Sequence, residues 1–499
     1  MSSKDTNIQR GYQHTKNLWE KTHSANTDQC NEYIDLSIAS DISLDPSLAR
    51  KKLDNFPQLS EFEVVRHYTQ LSQKNFSIDA GMYPLGSCTM KYNPKINDVV
   101  AMNHKWTGLH PYTPEHLSQG ALALMFELQQ ALVAITRLKA CSLHPAAGAH
   151  GELVGVKMIR AYHDKKGQQR DVILVPDSAH GTNPASAALS GFSVRELSSN
   201  AQGVIDLEEV KAKMDDRVAG IMMTVPNTLG VFEKNICEIS QFVHEQGGLV
   251  YCDGANLNAL VGQVDFSKMG VDVMHINLHK TFSTPHGGGG PGAGPVVVSD
   301  RLEPFLPRPF VEKTSEGLFT WSEATDDSLG RFRTFYGNFG MLLRALCYIY
   351  AFGKEELSLI SEVAVLNANY IRSKLIDYYH LPFESASLHE VVFSDKLQNK
   401  QNHVTALDIA KRLMDYGFHP PTMYFPLIVK GALMIEPTET ESKTEIDRFL
   451  EAMIRIAKES QETPDLVIKA PHNVGYKRIN ETQAARNPIL TWFDSSSVD

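Results

Sequence analysis

Residues 271–299 read VDVMHINLHKTFSTPHGGGGPGAGPVVVS. The stretch starts and ends with apolar runs of strand length, VDVMHIN at 271–277 and GPVVVS at 294–299. Continuous apolar strands, rich in valine and isoleucine, are typical of sheets that helices cover on both faces. A lysine and a run of glycines lie between the two apolar runs. The stretch therefore predicts two buried strands of an α/β sheet, with a polar segment after the first.

Three more apolar runs of strand length lie upstream, and they alternate with segments of helical length. They are DVILVP at 171–176, AGIMMTVP at 219–226 and GGLVYCD at 247–253. Residues 118–138 have the length and apolar recurrence of a helix. This alternation predicts an α/β fold with a mostly parallel sheet and helices on both faces.

The composition along the chain suggests three parts. Residues 1–115 are polar and interrupted by proline and glycine, which predicts an N-terminal arm with a helix or two. Residues 116–335 carry the strands of a large α/β domain. Residues 336–499 predict a smaller C-terminal α+β domain, with a strand near 427–437 and a helix near 442–460. Ser442 and Glu445 have the spacing of a capping box at the start of that helix.

Charge and cysteine content exclude several classes of protein. The chain has 48 Lys+Arg and 58 Asp+Glu, a net charge of −10, and lacks the basic surface that nucleic-acid binding requires. Six scattered cysteines form no Cys-x-x-Cys pair, which favours reduced thiols in a cytoplasmic protein. No apolar stretch approaches the length of a membrane span, and the first residues lack the apolar core of a secretory signal, so we expect neither a span nor a signal. His275 and His279 are four residues apart but on a strand-like segment, so we expect no metal site.

Polar residues follow four of the predicted strands directly, in the segments 177–186, 227–230, 253–259 and 278–294. In open parallel sheets, ligands bind beyond the carboxyl ends of the strands. We therefore expect one edge of the sheet to bring together five candidate residues: His180, Asn227, Asp253, His279 and Lys280.

Lys280 and Asp253 are the most informative of these residues. A lysine beside a buried strand is partly desolvated, which lowers the pKa of its amine and favours Schiff-base chemistry. Asp253 lies 27 residues earlier, at the end of another strand. A carboxylate that pairs with a pyridine nitrogen and a lysine that forms a Schiff base are the two groups that pyridoxal phosphate requires. Each residue alone also fits a common structural role, a helix cap for the aspartate and a solvated surface group for the lysine.

A phosphate site is predicted where Gly148 and Ala149 open a helix, because the first amides of a helix are free to bind an anion. A tight turn into an ordinary helix is the alternative. The glycines at 287, 289 and 292 formally match G-x-G-x-x-G, but the run contains Pro291 and leads into a strand rather than a helix. We expect a loop whose missing side chains let the backbone approach a cofactor or a very small substrate.

Several of these motifs together resemble one family. DSAHGTNPASA, VYCDGANLNA and especially NLHKTFSTPHGGGGPGAGP resemble the glycine-decarboxylating P-protein of the glycine cleavage system, a fold-type-I pyridoxal phosphate enzyme. GSCTMKYNP near the start and MIEPTETES near the end are also similar, so the resemblance covers most of the chain. One departure is Ala147, where some relatives carry serine. Phosphate binding would then depend more on backbone amides.

The resemblance implies a role for each candidate residue. Lys280 would carry the cofactor as a Schiff base, and Asp253 would hold the pyridine nitrogen. His180 would stack on one face of the ring and Ala255 would pack on the other. The amides of Gly148 and Ala149 would hold the phosphate, while His279 and Asn227 would be further cofactor-binding groups. These assignments are expectations from the resemblance.

The resemblance also implies the reaction and the partners. Glycine would lose CO2, and its aminomethyl group would pass to the lipoyl arm of the carrier called the H-protein. The chain matches the lysine-bearing half of the family's long form, which implies a paralogous partner subunit and a heterotetramer with two copies of each. Two alternatives stay open. One is another fold-type-I enzyme, such as an amino-acid decarboxylase or a serine hydroxymethyltransferase-like aldolase, and the other is a non-catalytic scaffold subunit.

Overall fold

The computed structural model describes residues 16–21, 45–48, 56–286, 292–323, 325–475 and 477–491. Their contacts divide the chain into two compact units. One is Gly81–Lys469, and the other combines the described residues up to Ala80 with those from Ala470 onward. The predicted main sheet and a second, three-stranded sheet lie within the unit Gly81–Lys469. A further division of that unit near residues 115 and 335 stays a prediction.

Helices and strands alternate through most of the chain. The helices are α1 (Leu18–Lys21), α2 (Glu61–Ser72), α3 (Lys95–Ala101), α4 (His104–Thr107), α5 (Gln119–Thr136), α6 (Gly148–Lys165), α7 (Thr182–Leu189), α8 (Leu207–Lys213), α9 (Ile236–Glu245), α10 (Leu278–Thr281), α11 (Phe339–Glu356), α12 (Leu359–Leu375), α13 (Lys396–Asn402), α14 (Ala406–Asp415), α15 (Lys443–Glu462), α16 (Pro464–Ile468) and α17 (Glu481–Arg486). The strands are β1 (Ala140–Ser142), β2 (Val172–Pro176), β3 (Ser193–Leu197), β4 (Val218–Thr224), β5 (Leu249–Gly254), β6 (Val273–Ile276), β7 (Val296–Val298), β8 (Val311–Lys313), β9 (Phe319–Trp321), β10 (Val391–Ser394), β11 (Thr422–Met423) and β12 (Ala432–Ile435).

Seven strands form the main sheet, in the order β1-β7-β6-β5-β4-β2-β3. All of its neighbouring pairs are parallel except those that involve β7, which runs antiparallel to both β6 and β1. The predicted mostly parallel α/β sheet is therefore confirmed, and so are the five strands predicted within it. The two edge strands were not predicted, because β1 has three residues and β3 reads SVREL, a mostly exposed segment with two charges.

Helices cover both faces of this sheet. On one face α5 and α9 pack on residues such as Val250 and Met274. On the other face α6 packs on Tyr251 and Val273. A Cβ at Gly155 of α6 would lie 2.6 Å from the Tyr251 ring, so glycine is what allows this helix to approach the sheet closely. Burial on both faces explains why the central strands read as continuous apolar runs.

A second sheet of three antiparallel strands has the order β10-β12-β11 and packs on α12, α14 and α15. The predicted helix near 442–460 is α15, and the Ser442 side chain accepts a hydrogen bond from the Glu445 amide as expected of a cap. The reciprocal bond of a capping box does not form, because the Glu445 carboxylate contacts Arg448 and the Met82 amide. None of the described helices combines the length and the apolar character needed to cross a membrane.

Candidate active site

A cavity of about 240 Å³ lies beyond the carboxyl ends of β4, β5 and β6, next to the start of α6. This is the edge of the sheet at which the sequence placed the site. The cavity is lined by Ser87, Ala147, Gly148, Ala149, Glu152, His180, Thr182, Thr224, Thr228, Asp253, Ala255, Asn256, Asn277, His279 and Lys280. Seven of the eight predicted site residues are among them, and Asn227 is not.

Lys280 lies in α10, the short helical turn that follows β6. The side chain is half-buried, and its Nζ donates a hydrogen bond to the carbonyl oxygen of Ser87 at 2.7 Å. The peptide N–H of Lys280 donates to the Asn277 carbonyl, which closes the turn directly after the strand. The amine is therefore presented to the cavity from a rigid strand end and is held by a single backbone acceptor.

Two buried glutamates hold the loop that supplies this acceptor. Ser87 and Thr89 have φ values of +64° and +48°, a left-handed conformation that is uncommon outside glycine. The Ser87 amide donates to Glu390 at 2.9 Å, and the Thr89 amide donates to Glu436 at 2.9 Å. Burial raises the pKa of both carboxyl groups. The two glutamates compensate for the backbone strain with hydrogen bonds inside the protein.

Asp253 ends β5 and is 1% exposed. Its carboxylate accepts hydrogen bonds from the Ala255 amide at 2.9 Å and from Asn183 Nδ2 at 3.2 Å. His275 Nε2 lies 3.4 Å from Oδ1 of the same carboxylate. These contacts fix the orientation of the carboxylate at the cavity wall.

Tyr251 and Asp253 contact the two ring nitrogens of His275. Burial raises the pKa of Tyr251 and lowers the pKa of His275, so both are neutral. The Tyr251 hydroxyl lies 2.5 Å from Nδ1 and the Asp253 carboxylate 3.4 Å from Nε2. Because a carboxylate can only accept, these contacts favour the tautomer with hydrogen on Nε2, in which the Tyr251 hydroxyl donates to Nδ1. That N–H faces the Asp253 carboxylate. His275 is thus a third polar neighbour of this carboxylate, in addition to the Ala255 amide and Asn183 Nδ2.

The start of α6, where the sequence predicts a phosphate site, lines the cavity. Ala147 caps the helix without a side-chain hydrogen bond, and the first amides of a helix have no acceptor within it. A Cβ at Gly148 would lie 2.2 Å from Asn277 Oδ1, so only glycine fits between the helix and the cavity wall. Free amides and the positive end of the helix dipole both favour a phosphate group here.

Four polar atoms at the cavity are buried without a hydrogen-bond partner in the described part of the chain. They are Thr224 Oγ1, Asn256 Oδ1, Asn277 Oδ1 and His279 Nδ1. Buried polar groups are nearly always paired in folded proteins, so these atoms indicate a polar ligand. Burial lowers the pKa of His279 to about 3, and its ring is therefore neutral. The donor set, the carboxylate, the amine and the anion site fit pyridoxal phosphate.

His180 and Glu152 share a hydroxyl group. His180 is exposed at the cavity, and its Nδ1 lies 3.0 Å from Thr182 Oγ1. That hydroxyl is also 2.7 Å from Glu152 Oε1. Glu152 is 4% exposed, and burial together with the charge of Asp253 raises its pKa to about 8. Hydrogen bonds from the Thr182 and Ser186 hydroxyls act on this pKa in the opposite direction.

Asn227 does not belong to this cavity, contrary to its prediction. Its Nδ2 donates to the Gly203 carbonyl at 2.7 Å and to Glu233 at 2.8 Å. Its Oδ1 accepts from the amides of Leu229 and Val231. All of its hydrogen-bonding capacity therefore stabilises the loop after β4, where asparagine is a common turn residue. Thr224 and Thr228 face the cavity in its place.

The glycine-rich run is only partly described, because residues 287–291 lie outside the described residues. At Gly294 the amide donates to the Pro145 carbonyl at 3.0 Å, and a Cβ there would lie 2.1 Å from the Ala147 carbonyl oxygen. The close approach at this glycine is therefore between two backbone segments of the chain itself. It supports the loop that starts α6.

Several cavity residues were missed by reasoning from strand ends. Glu152 and Thr182 lie inside helices that begin at the cavity, one turn or less from their starts. Ser87 lies in the GSCTMKYNP motif, to which no role had been given. Glu390 and Glu436 lie far along the chain, and only the pairing of β10 with β12 brings them together. The signal available was position: Thr182 lies within the DSAHGTNPASA motif, and Glu152 ends the segment AAGAHGE at 146–152, which contains the predicted phosphate site.

Comparison with known proteins gives matches over most of the chain. A family model described as "Glycine dehydrogenase, C-terminal domain" matches residues 360–476, and one described as "Aminotransferase class-V" matches residues 156–309. A protein of Caldanaerobacter subterraneus named as a probable glycine dehydrogenase (decarboxylating) subunit 2 is 56% identical over 450 residues, 90% of this chain and 92% of the relative. A protein of Pyrococcus furiosus with the same name is 52% identical over 455 residues, 90% and 91% of the two chains.

Solved structures show the same fold. A glycine decarboxylase (P-protein) of the glycine cleavage system, in inhibitor-bound form, has a TM-score of 0.68 at 18% identity, covering 87% of this chain and 95% of the other. The Escherichia coli cysteine desulfurase CsdA has a TM-score of 0.58 at 17% identity, covering 76% and 95%. The fold is that of the fold-type-I enzymes, which implies a pyridoxal phosphate cofactor. With more than half of its residues identical to such relatives over nine-tenths of both chains, the chain belongs to the family of glycine dehydrogenase (decarboxylating) subunit 2.

Proposed function

We propose that this chain carries pyridoxal phosphate on Lys280, decarboxylates glycine, and passes the aminomethyl group to the lipoyl arm of the H-protein. The observation that carries the proposal is that Lys280 and Asp253 line one cavity together with the free amides at the start of α6. Membership of the family supports glycine as the substrate. The H-protein as acceptor and the covalent link to Lys280 are parts of the proposal itself.

The chain's own residues divide the task of holding the cofactor. Lys280 would bind it covalently through Nζ, and Gly148 and Ala149 would bind its phosphate through their amides. Asp253, held by the Ala255 amide and Asn183, would bind the pyridine nitrogen. His180 and Ala255 would contact the two faces of the ring. When bound, pyridoxal phosphate supplies a carbonyl group for amine exchange and a ring that accepts an electron pair.

Asp253 would lower the barrier to loss of CO2 and not only assist the binding of glycine. The Asp253 carboxylate, held by fixed donors, would keep positive charge on the ring nitrogen that it contacts, and this charge would stabilise negative charge developing in the transition state. The donors are already in place, so the site needs no rearrangement at that moment. His279, neutral and with an unpartnered Nδ1, offers an acceptor or donor beside Lys280.

The proposal also includes the subunit composition of the enzyme and its compartment in the cell. The relatives' names designate a second subunit, and we propose a partner subunit 1 in a heterotetramer with two copies of each chain. We place the enzyme in the cytoplasm. All five cysteines in the described part of the chain are free, which supports a reducing compartment.

The test is exchange of labelled bicarbonate into the carboxyl group of glycine. The chain is assayed with a candidate subunit 1 and lipoylated carrier protein, and each component is omitted in turn. Exchange that requires all three supports reversible decarboxylation by a two-subunit enzyme. Exchange without the carrier, or CO2 release from a larger amino acid only, would contradict the proposed acceptor or substrate and favour another fold-type-I decarboxylase.

A further inference from the structure

Lys91 is a buried lysine that contacts the turn next to Lys280. It lies in the GSCTMKYNP motif, its side chain is 1% exposed, and it is not among the residues that line the cavity. Its Nζ donates to the carbonyl oxygen of Thr281 at 2.9 Å. Thr281 is the last residue of α10 and directly follows Lys280 in the chain. Lys91 therefore holds the end of the turn that presents the amine.

Each hydrogen of the Lys91 ammonium group has an acceptor. Besides the Thr281 carbonyl, the acceptors are Asn258 Oδ1 at 2.7 Å and Glu439 Oε1 at 2.5 Å. An ammonium group has three hydrogens, so these three acceptors leave no donor unused. Glu439 is fixed in turn, because Tyr348 donates to Oε1 and Asn258 Nδ2 donates to Oε2 at 3.3 Å.

The same motif contacts the turn at two further points. Ser87 accepts the hydrogen bond from Lys280 Nζ. Beyond the turn, Ser283 has a φ value of +53°, and its hydroxyl donates to the Tyr92 carbonyl at 2.8 Å. The motif thus contacts the amine of Lys280, the last carbonyl of α10 and the residue two positions after its end.

The bond to the Thr281 carbonyl has a clear physical role. The last carbonyl groups of a helix have no donor within it, and a lysine side chain can supply one. Since α10 has only four residues, few bonds of its own keep it in place. Thr281 is fully buried, so without Lys91 its carbonyl would lose this partner away from water. The turn would then shift toward another donor, and Lys280 would shift with it.

We propose that Lys91 is a positioning residue, which holds α10 through the Thr281 carbonyl and so sets the position of the Lys280 amine at the cavity. This inference rests on the proposed function, in which Lys280 binds pyridoxal phosphate covalently. The ion pair with Glu439 keeps Lys91 in place, whereas the bond to Thr281 carries the positioning effect.

The test separates that bond from the ion pair. In Glu439→Gln, Lys91 still reaches Thr281, and an amide oxygen accepts in place of the carboxylate. In the double variant Lys91→Met with Glu439→Gln, the bond to Thr281 is lost and no buried carboxylate is left unpaired. Lys91→Gln with Glu439→Gln replaces this double variant if it fails to fold, because the shorter side chain does not reach Thr281 either.

The measurement is covalent capture of pyridoxal phosphate by the full-length chain, freed of cofactor and combined with the candidate subunit 1. Absorbance gives the rate, circular dichroism of the bound cofactor reports its orientation, and borohydride adducts are mapped. Because a displacement of about 1 Å can slow a reaction about a hundredfold, we expect the double variant to capture the cofactor at least about tenfold more slowly, with an altered dichroism band. Glu439→Gln should behave nearly like the unmodified chain.

Arg412→Met is the matched control. Arg412 and Glu459 form another largely buried ion pair, and neither residue lines the cavity. Urea unfolding compares the stability of all variants. We expect Arg412→Met to lower the unfolding midpoint and to leave the rate of capture and the dichroism band unchanged, since it does not contact α10.

Equal rates of capture for the double variant and the unmodified chain would overturn the proposal. So would slowing in Glu439→Gln or Arg412→Met to the rate of the double variant, because capture would then follow the ion pair or the overall stability. If the unmodified chain forms no adduct at Lys280, the proposed function fails and this inference fails with it. The adduct map therefore distinguishes the two failures.

Discussion

Lys280 Nζ donates a 2.7 Å hydrogen bond to the carbonyl oxygen of Ser87, which lies 193 residues earlier in the chain. This contact places the GSCTMKYNP segment inside the site, although no strand of the main sheet contains it. Leu85, directly before this segment, forms a β-bridge with Ile435 of β12. The surroundings of the Lys280 amine therefore come from three distant parts of the sequence: the segment 86–94, the turn after β6 and the strand β12.

Replacing Lys280 with alanine should abolish turnover, because no other lysine lines the cavity among the described residues. The measurement is glycine–bicarbonate exchange, together with borohydride reduction and mapping of the cofactor adduct. Lys268→Ala, at a lysine whose side chain is 85% exposed, is the control and should behave like the unmodified chain. Retained exchange in Lys280→Ala would refute the covalent assignment.

Asp253→Asn should still bind the cofactor but slow decarboxylation by about a hundredfold or more, since the fixed negative charge at the ring nitrogen is lost. Cofactor content is followed by absorbance and the rate by exchange. Asp300→Asn, at an 85% exposed aspartate, is the matched control. Near-normal turnover in Asp253→Asn would show that the carboxylate does not stabilise the developing charge.

Gly148→Ala should weaken cofactor binding. The new Cβ would lie 2.2 Å from Asn277 Oδ1, and overpacking of this kind costs about 1–3 kcal/mol. Carried by the cofactor-bound form, this strain corresponds to an affinity about 5- to 150-fold weaker. Titration of the apoprotein with pyridoxal phosphate measures the effect. Gly120→Ala is a good comparison, because a Cβ there meets nothing within 4 Å. Equal affinities for the two variants would contradict the phosphate site at α6.

His389 should make the fold sensitive to acid. Burial lowers its pKa to about 3, below the unfolded value of about 6.5, so unfolding takes up a proton between these values and stability falls as the pH drops through this window. Between pH 7 and 4, we expect the free energy of unfolding to fall by about 3 kcal/mol more in the unmodified chain than in His389→Gln.

Urea unfolding at several pH values measures this difference. Glu390 and Glu436 are present in both proteins, so comparing the two separates the histidine from its acidic neighbours. His116→Gln, at an exposed histidine, should show the acid sensitivity of the unmodified chain. Parallel pH profiles for the unmodified chain and His389→Gln would show that His389 is not held neutral.

Local patterns predicted most of the fold, because buried parallel strands leave a continuous apolar signal and polar residues at their ends mark the ligand edge. Lys280, Asp253 and His180 were found in this way. The same reasoning misplaced Asn227, since a position after a strand does not tell whether an amide faces the cavity or its own loop. The support of Ser87 by Glu390 and Glu436 depends on strand pairing across hundreds of residues, which no local pattern encodes.

The left-handed turn at Ser87 also has a consequence for biosynthesis. As the chain leaves the ribosome, residues 81–94 emerge early, but the two glutamates that hold the turn come long after the main sheet is complete. The main sheet can form first, yet the lysine acquires its acceptor only when β10 and β12 have paired. A chain that ends before residue 436 would thus lack one of the two carboxyl groups that hold the loop of the Lys280 acceptor.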